Sequence, residues 1–109
     1  MQSSLKLVLT LTVLTFASVC AMPIQYTIDS KVDHFTADGQ SSMFKLRYIV
    51  DDQYWKAAAN DSTKPRPILF YTGNEGDIWQ FYENSGFMTT YLAEKWGALV
   101  VFGEHRYFG

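Results

Sequence analysis

The sequence predicts an α/β protein built on a pair of parallel strands, and three observations carry that class. Residues 68–72 (ILFYT) and 98–103 (ALVVFG) are short apolar runs with no polar face, the pattern of strands covered on both sides. Between them Phe87, Met88, Tyr91, Leu92 and Trp96 recur at helical spacing. Strand, helix and strand of this kind form a βαβ unit, whose right-handed crossover makes the two strands parallel neighbours. Two polar clusters, TGNEGD (72–77) and GEHRYFG (103–109), then follow the two strands onto one edge of the sheet. In open parallel sheets that carboxyl edge is where ligands and chemistry gather.

The chain has 109 residues, and the first 21 read MQSSLKLVLTLTVLTFASVCA: a cation at Lys6, an apolar stretch, then small residues including Val19 and Ala21. That is the layout of a secretory signal peptide cut ahead of Met22. The apolar run is shorter than the roughly 20 residues of a membrane span, so no stable anchor is expected. From Met22 to Ser42 the pattern is irregular, two extended pieces joined by a turn at TADGQ. MFKLRYIVDD then alternates, with Phe44, Leu46, Tyr48 and Val50 on one face and Lys45, Arg47 and Ile49 on the other, a half-buried strand. A short helical turn follows at YWKAAA, and Pro65 and Pro67 impose an extended approach to the next strand. Trp79, Phe81 and Tyr82 form an aromatic patch after the first polar cluster. Ser85 is placed to cap the helix, and Gly97 supplies its left-handed stop.

Composition excludes several function classes. Nine cations, Lys6 among them, stand against eleven carboxylates with no basic cluster, which argues against nucleic acid as a partner. The single cysteine, Cys20, falls in the expected leader, so the remainder has no thiol for a disulfide, a metal or a nucleophile. Asn60-Asp61-Ser62 is a glycosylation sequon in a polar loop, consistent with export, and makes Asn60 the acceptor candidate.

GNEGD matches neither phosphate-binding glycine pattern, and Glu75 and Asp77 would repel phosphate. Glu75, Asp77, Glu104 and His105 offer hard ligands but no metal-ligand spacing, so no metal or other cofactor is implied. A hydrolase oxyanion loop suits better: after an early strand, small residues such as Gly73 and Gly76 let backbone N–H groups approach a developing oxyanion. Equally, both are read as plain turn glycines. No nucleophile elbow is present, since GQSSM at 39–43 lacks the second glycine and precedes the wrong strand.

VDHF (32–35), F-x-x-RY (44–48), YW (54–55), ILFYTGNEGD (68–77), NSGFM (84–88) and ALVVFGEHRYFG (98–109) resemble, in order and spacing, the amino-terminal part of the S28 serine peptidases. Phe108 stands where many members carry tyrosine, and Gly103 where many carry alanine. The resemblance implies the amino-terminal portion of an α/β-hydrolase fold over residues 22–109. It implies a serine exopeptidase acting on short peptides with proline at the penultimate position, as a Pro-X carboxypeptidase or a dipeptidyl peptidase. It also implies delivery along the secretory pathway, to lysosome or exterior. The triad of such enzymes lies beyond the position of Gly109, so no catalytic residue is carried over. What is carried over is a substrate-pocket loop of Gly73, Asn74 and Glu75, and a polar strand edge of Glu104, His105, Arg106 and Tyr107. The segment is thus expected to be the incomplete front of a peptidase and inactive by itself. The alternative is a secreted non-catalytic half-domain that binds a peptide or a full-length homologue.

Overall fold

The computed structural model describes residues 22–109 apart from Asp38, Ser62 and Lys64. The expected leader over residues 1–21, and Cys20 with it, lies outside the described residues. Among those described, no helix is long and apolar enough to cross a membrane.

Among the described residues four strands form one mixed sheet in the order β1-β2-β4-β3: β1 (Ile24–Lys31), β2 (Met43–Asp51), β3 (Ile68–Tyr71) and β4 (Leu99–Gly103). β3 and β4 are parallel neighbours, as the βαβ pattern predicts, with Ile68 opposite Leu99 and Tyr71 opposite Phe102. β2 runs antiparallel to both β1 and β4. The stretch before the TADGQ turn, read above only as extended, is a full strand of eight residues. Its alternation of Ile24, Tyr26 and Ile28 with Gln25, Thr27 and Asp29 is a strand pattern that pairing with β2 makes regular.

The helices are α1 (Gln53–Ala57), α2 (Ile78–Glu83) and a π-helical stretch (Phe87–Leu92) that runs directly into α3 (Ala93–Trp96). The aromatic patch is therefore helical: Trp79, Phe81 and Tyr82 belong to α2. Ser85 does not cap the next helix with its side chain. Its hydroxyl donates back to the Phe81 carbonyl at 2.6 Å, while its own carbonyl receives the N–H groups of Met88 and Thr89. Gly97 does end α3 in the left-handed conformation, at φ 58°.

Two of the expected faces hold only in part: Met88 and Leu92 are half-buried, Met88 against the core. Phe87, Tyr91 and Trp96 are exposed, and Thr89 and Ala93 are the residues buried against the sheet. The π-helical winding changes the phase of the helix, and the smaller side chains take the side of close approach. Phe87 and Tyr91 stack on each other instead, with ring centroids 5.5 Å apart. On β2 the fully buried residue is Ile49, with Asp51 buried beside it, whereas Phe44, Leu46, Tyr48 and Val50 are only partly covered. Nor is β3 covered on both sides: among the described residues the helices lie on one face, and Ile68 and Phe70 are 61% and 60% exposed on the other.

The core sits between the sheet and these helices. Phe102 is its centre, fully buried, with Tyr71 stacked on it at 4.8 Å and Tyr82 meeting it edge-on at 5.2 Å. Ile49, Ile78, Ala93, Ala98 and Val100 complete it. The buried Asp51 is satisfied twice, accepting the Gln53 N–H at 3.0 Å and the Tyr82 hydroxyl at 2.6 Å.

Burial first, then the hydrogen bond to Asp51, pushes the Tyr82 phenol well above its ordinary value. A phenol whose pKa is raised on folding contributes stability that is whole below its unfolded value of about 10 and is lost as the pH rises toward the folded one. The expected result is a loss of wild-type stability between pH 10 and 12 at up to about 1.4 kcal/mol per pH unit, a slope that Tyr82→Phe removes. Denaturation midpoints of the two proteins measured across that range check it.

Candidate functional site at the carboxyl edge of the parallel strands

Because β3 and β4 are parallel, the loops after Tyr71 and Gly103 leave the sheet at the same edge. Because β2 is antiparallel to β4, the early part of β2 lies there too. Tyr48 faces Gly103, and one step further the Glu104 N–H donates to the Arg47 carbonyl at 3.0 Å. Register thus delivers a cation from β2 to a carboxylate that follows β4.

Glu104 is buried, its side chain only 3% exposed. It accepts from Arg47 twice, from Nε at 2.6 Å and from the backbone N–H at 2.9 Å, and the guanidinium also forms an ion pair with it. The same guanidinium donates to Asp77 at 3.2 Å, across the opening of the other loop. The hydrogen bond to Glu104 foremost, with the charges of Glu104 and Asp77, raises the Arg47 pKa against the lowering effect of burial. Arg47 is charged at every working pH.

The first loop is shaped by a close approach. Gly73 adopts φ 84°, and a Cβ there would lie 2.5 Å from the His105 nitrogen and 2.6 Å from the Gly103 carbonyl oxygen. The glycine is required by contact between two backbones, which accounts for it without reference to a substrate. Asn74 is exposed and folds back on its own loop: its side-chain oxygen accepts the Glu75 N–H at 2.8 Å, and its carbonyl accepts the Gly76 N–H at 2.9 Å. Glu75 is exposed and takes no part in the Arg47 network. Asp77 precedes α2 in extended conformation, and its carboxylate serves Arg47 instead of capping the helix.

The second cluster divides. Arg106 donates to the carbonyls of Lys31 and Val32, each at 2.8 Å, and to the Tyr107 hydroxyl. Tyr107, at φ 70°, donates its hydroxyl to Val32 at 2.9 Å and stacks on Phe44 at 5.4 Å. Arg106 and Tyr107 therefore clasp the end of β1 to the end of β4. His105 is exposed; its Nδ1 lies 3.2 Å from the Arg106 carbonyl, and its ring meets Phe108 edge-on at 5.0 Å.

The structure thus brings Gly73, Glu104 and His105 into one junction, keeps Asn74 and Glu75 on its outer side, and spends Arg106 and Tyr107 on holding β1. Sequence reasoning missed Arg47 as a member, and weighed Asp77 only as a metal ligand or a repeller of phosphate, not as a partner of Arg47. Arg47 lay inside a motif already noted, F-x-x-RY, but only the pairing of β2 with β4 shows what a cation does there. Among the described residues no group of three His, Cys, Asp or Glu comes together to hold a metal ion.

Comparison with known proteins gives a concordant picture. The model of the family described as serine carboxypeptidase S28 matches residues 30–109. The chain is 44% identical over 98 residues to the lysosomal Pro-X carboxypeptidase of Bos taurus, covering 87% of this chain and 18% of that protein. It is 49% identical over 79 residues to the Homo sapiens protein of that name, covering 72% and 14%. The thymus-specific serine protease of Homo sapiens is 33% identical over 89 residues, covering 82% and 16%. The chain therefore spans less than a fifth of the length of these relatives.

Proposed function

We propose, because the chain belongs to the serine carboxypeptidase S28 family, that residues 22–109 are the front part of a serine exopeptidase with an α/β-hydrolase fold. The observation that carries this is the family match itself, which runs unbroken through both polar clusters at the carboxyl edge. In this reading the nucleophilic serine, its histidine and its orienting aspartate come from sequence outside residues 22–109, and the loop of Gly73, Asn74 and Glu75 faces the substrate. Backbone N–H groups of such a loop stabilise an oxyanion only when a nucleophile creates one, so these residues alone have no peptidase activity.

The substrate class is short peptides with proline next to the scissile bond. Removal of a single carboxyl-terminal residue is favoured over release of a dipeptide by the 44–49% identity to proteins named Pro-X carboxypeptidase. The route is the secretory pathway, ending in the lysosome or outside the cell. Asn60, exposed in the turn after α1, is the glycan acceptor on that route.

The test begins with the transcript read through the codon for Gly109, where an in-frame glycine-flanked serine is expected. The secreted product of that frame is then treated with a fluorophosphonate probe and offered peptides ending in Pro-X. Covalent labelling of the serine together with release of the last residue supports the proposal; release of dipeptides from the amino end would move it to the other branch. A frame without such a serine, or a folded product that neither labels nor cleaves, would overturn it. In the same material, a glycosidase-sensitive mass that disappears in Asn60→Gln checks the acceptor.

A further inference from the structure

We propose that Arg47 is a positioning residue for this site, one guanidinium that couples the 72–77 loop to the segment following β4. The inference rests on the reading of this edge as substrate-facing, while the coupling itself is measurable without catalysis.

Arg47 belongs to neither of the strands whose loops form the site, and it touches both loops. Its backbone N–H and Nε both end on Glu104, so the base of the side chain is held at two points beside a carboxylate that is almost fully buried. The remaining arm is thereby aimed at Asp77, 3.2 Å away. A planar guanidinium serves two carboxylates in fixed geometry; an ammonium on a flexible stem does not.

On the loop, Gly73 anchors one end by backbone contact with residues 103–105, and Asp77 anchors the other through Arg47. Asn74, Glu75 and Gly76 are the span between these two anchors. Without the second contact the span is held at that end only by the Asp77 backbone, where α2 begins, and small misplacements of groups that face a transition state are costly in rate. Were Arg47 present only to neutralise Glu104, the contact with Asp77 would be dispensable. Asp77 is 43% exposed, so its arm is the weaker one and can be removed without threatening the fold.

The experiment uses the full-length chain and the variants Asp77→Asn and Arg47→Lys, with amide hydrogen exchange and steady-state kinetics as the two readouts. For Asp77→Asn, exchange in residues 74–76 is expected to rise about threefold while residues 104–106 stay protected. Turnover should fall about tenfold with KM nearly unchanged. Arg47→Lys is expected to raise exchange in both segments. Unchanged exchange at 74–76 in Asp77→Asn, with the protein folded, would overturn the proposal, as would a kinetic loss confined to KM. A wild-type chain that exchanges as described but never turns over refutes the functional reading alone, and the exchange data then decide the coupling.

Discussion

Gly73→Ala is expected to destabilise the protein by about 4 kcal/mol, near the upper end for a single methyl group. Two costs combine. An alanine at φ 84° is strained by about 1–2 kcal/mol, and its Cβ would stand 2.5–2.9 Å from three backbone atoms of residues 103–105. Those atoms cannot rotate away as a side chain would; the loop must lift, and the end of the β3 and β4 pairing opens with it. Gly39→Ala is the control. Gly39 also has a positive φ, 69°, but nothing lies within 4 Å of its missing Cβ, so only the strain of about 1 kcal/mol remains. Denaturation midpoints of the two variants in the full-length chain measure the difference. Equal losses would mean that the two backbones do not meet at Gly73.

Glu104→Gln should cost about 3 kcal/mol, whereas Glu75→Gln, in the neighbouring loop, should fall within about 0.5 kcal/mol of wild type. Glu104 is buried and accepts from two Arg47 donors through two different oxygens. Glutamine has one acceptor oxygen and would turn an N–H pair toward one of those donors, while Arg47 loses its principal counter-charge. The lower end of the range for breaking a buried pair applies, because Arg47 is itself 27% exposed and keeps Asp77. Glu75 is exposed and belongs to no such network. Thermal unfolding of both variants decides, and a Glu104→Gln protein as stable as Glu75→Gln would remove the ion-pair network from the account.

These two carboxylates mark where reading the sequence stops. Each follows an apolar strand within a few residues, each sits beside glycine, and nothing adjacent in the chain says that one is buried and the other wet. Gly73 poses the same problem: substrate loop and plain turn are both consistent with its neighbours in sequence, and the constraint that explains it comes from residues thirty positions away. Arg47 was visible as part of F-x-x-RY and as a charge on one side of an alternating strand, but neither says which carboxylates it meets. On that strand the period separated Ile49 from Val50 correctly, but a period of two names two faces without saying which one the helices cover. On the helix after Ser85 the period placed Met88 and Leu92 on the covered side but not Phe87, Tyr91 and Trp96, because a π-helical stretch shifts the phase on which a 3.6-residue period depends.

The order of strand, helix and strand, the left-handed stop at Gly97, the parallel pairing of β3 with β4, and hence the shared edge of the two polar clusters, were all readable in the residues. These follow from local backbone preference and from hydrophobic period, which short-range residue order contains. Which faces are buried and which charged groups meet came from the assembled fold. Burial and ion pairing depend on the register of β2 against β4, and that register is chosen by packing between residues far apart in the chain.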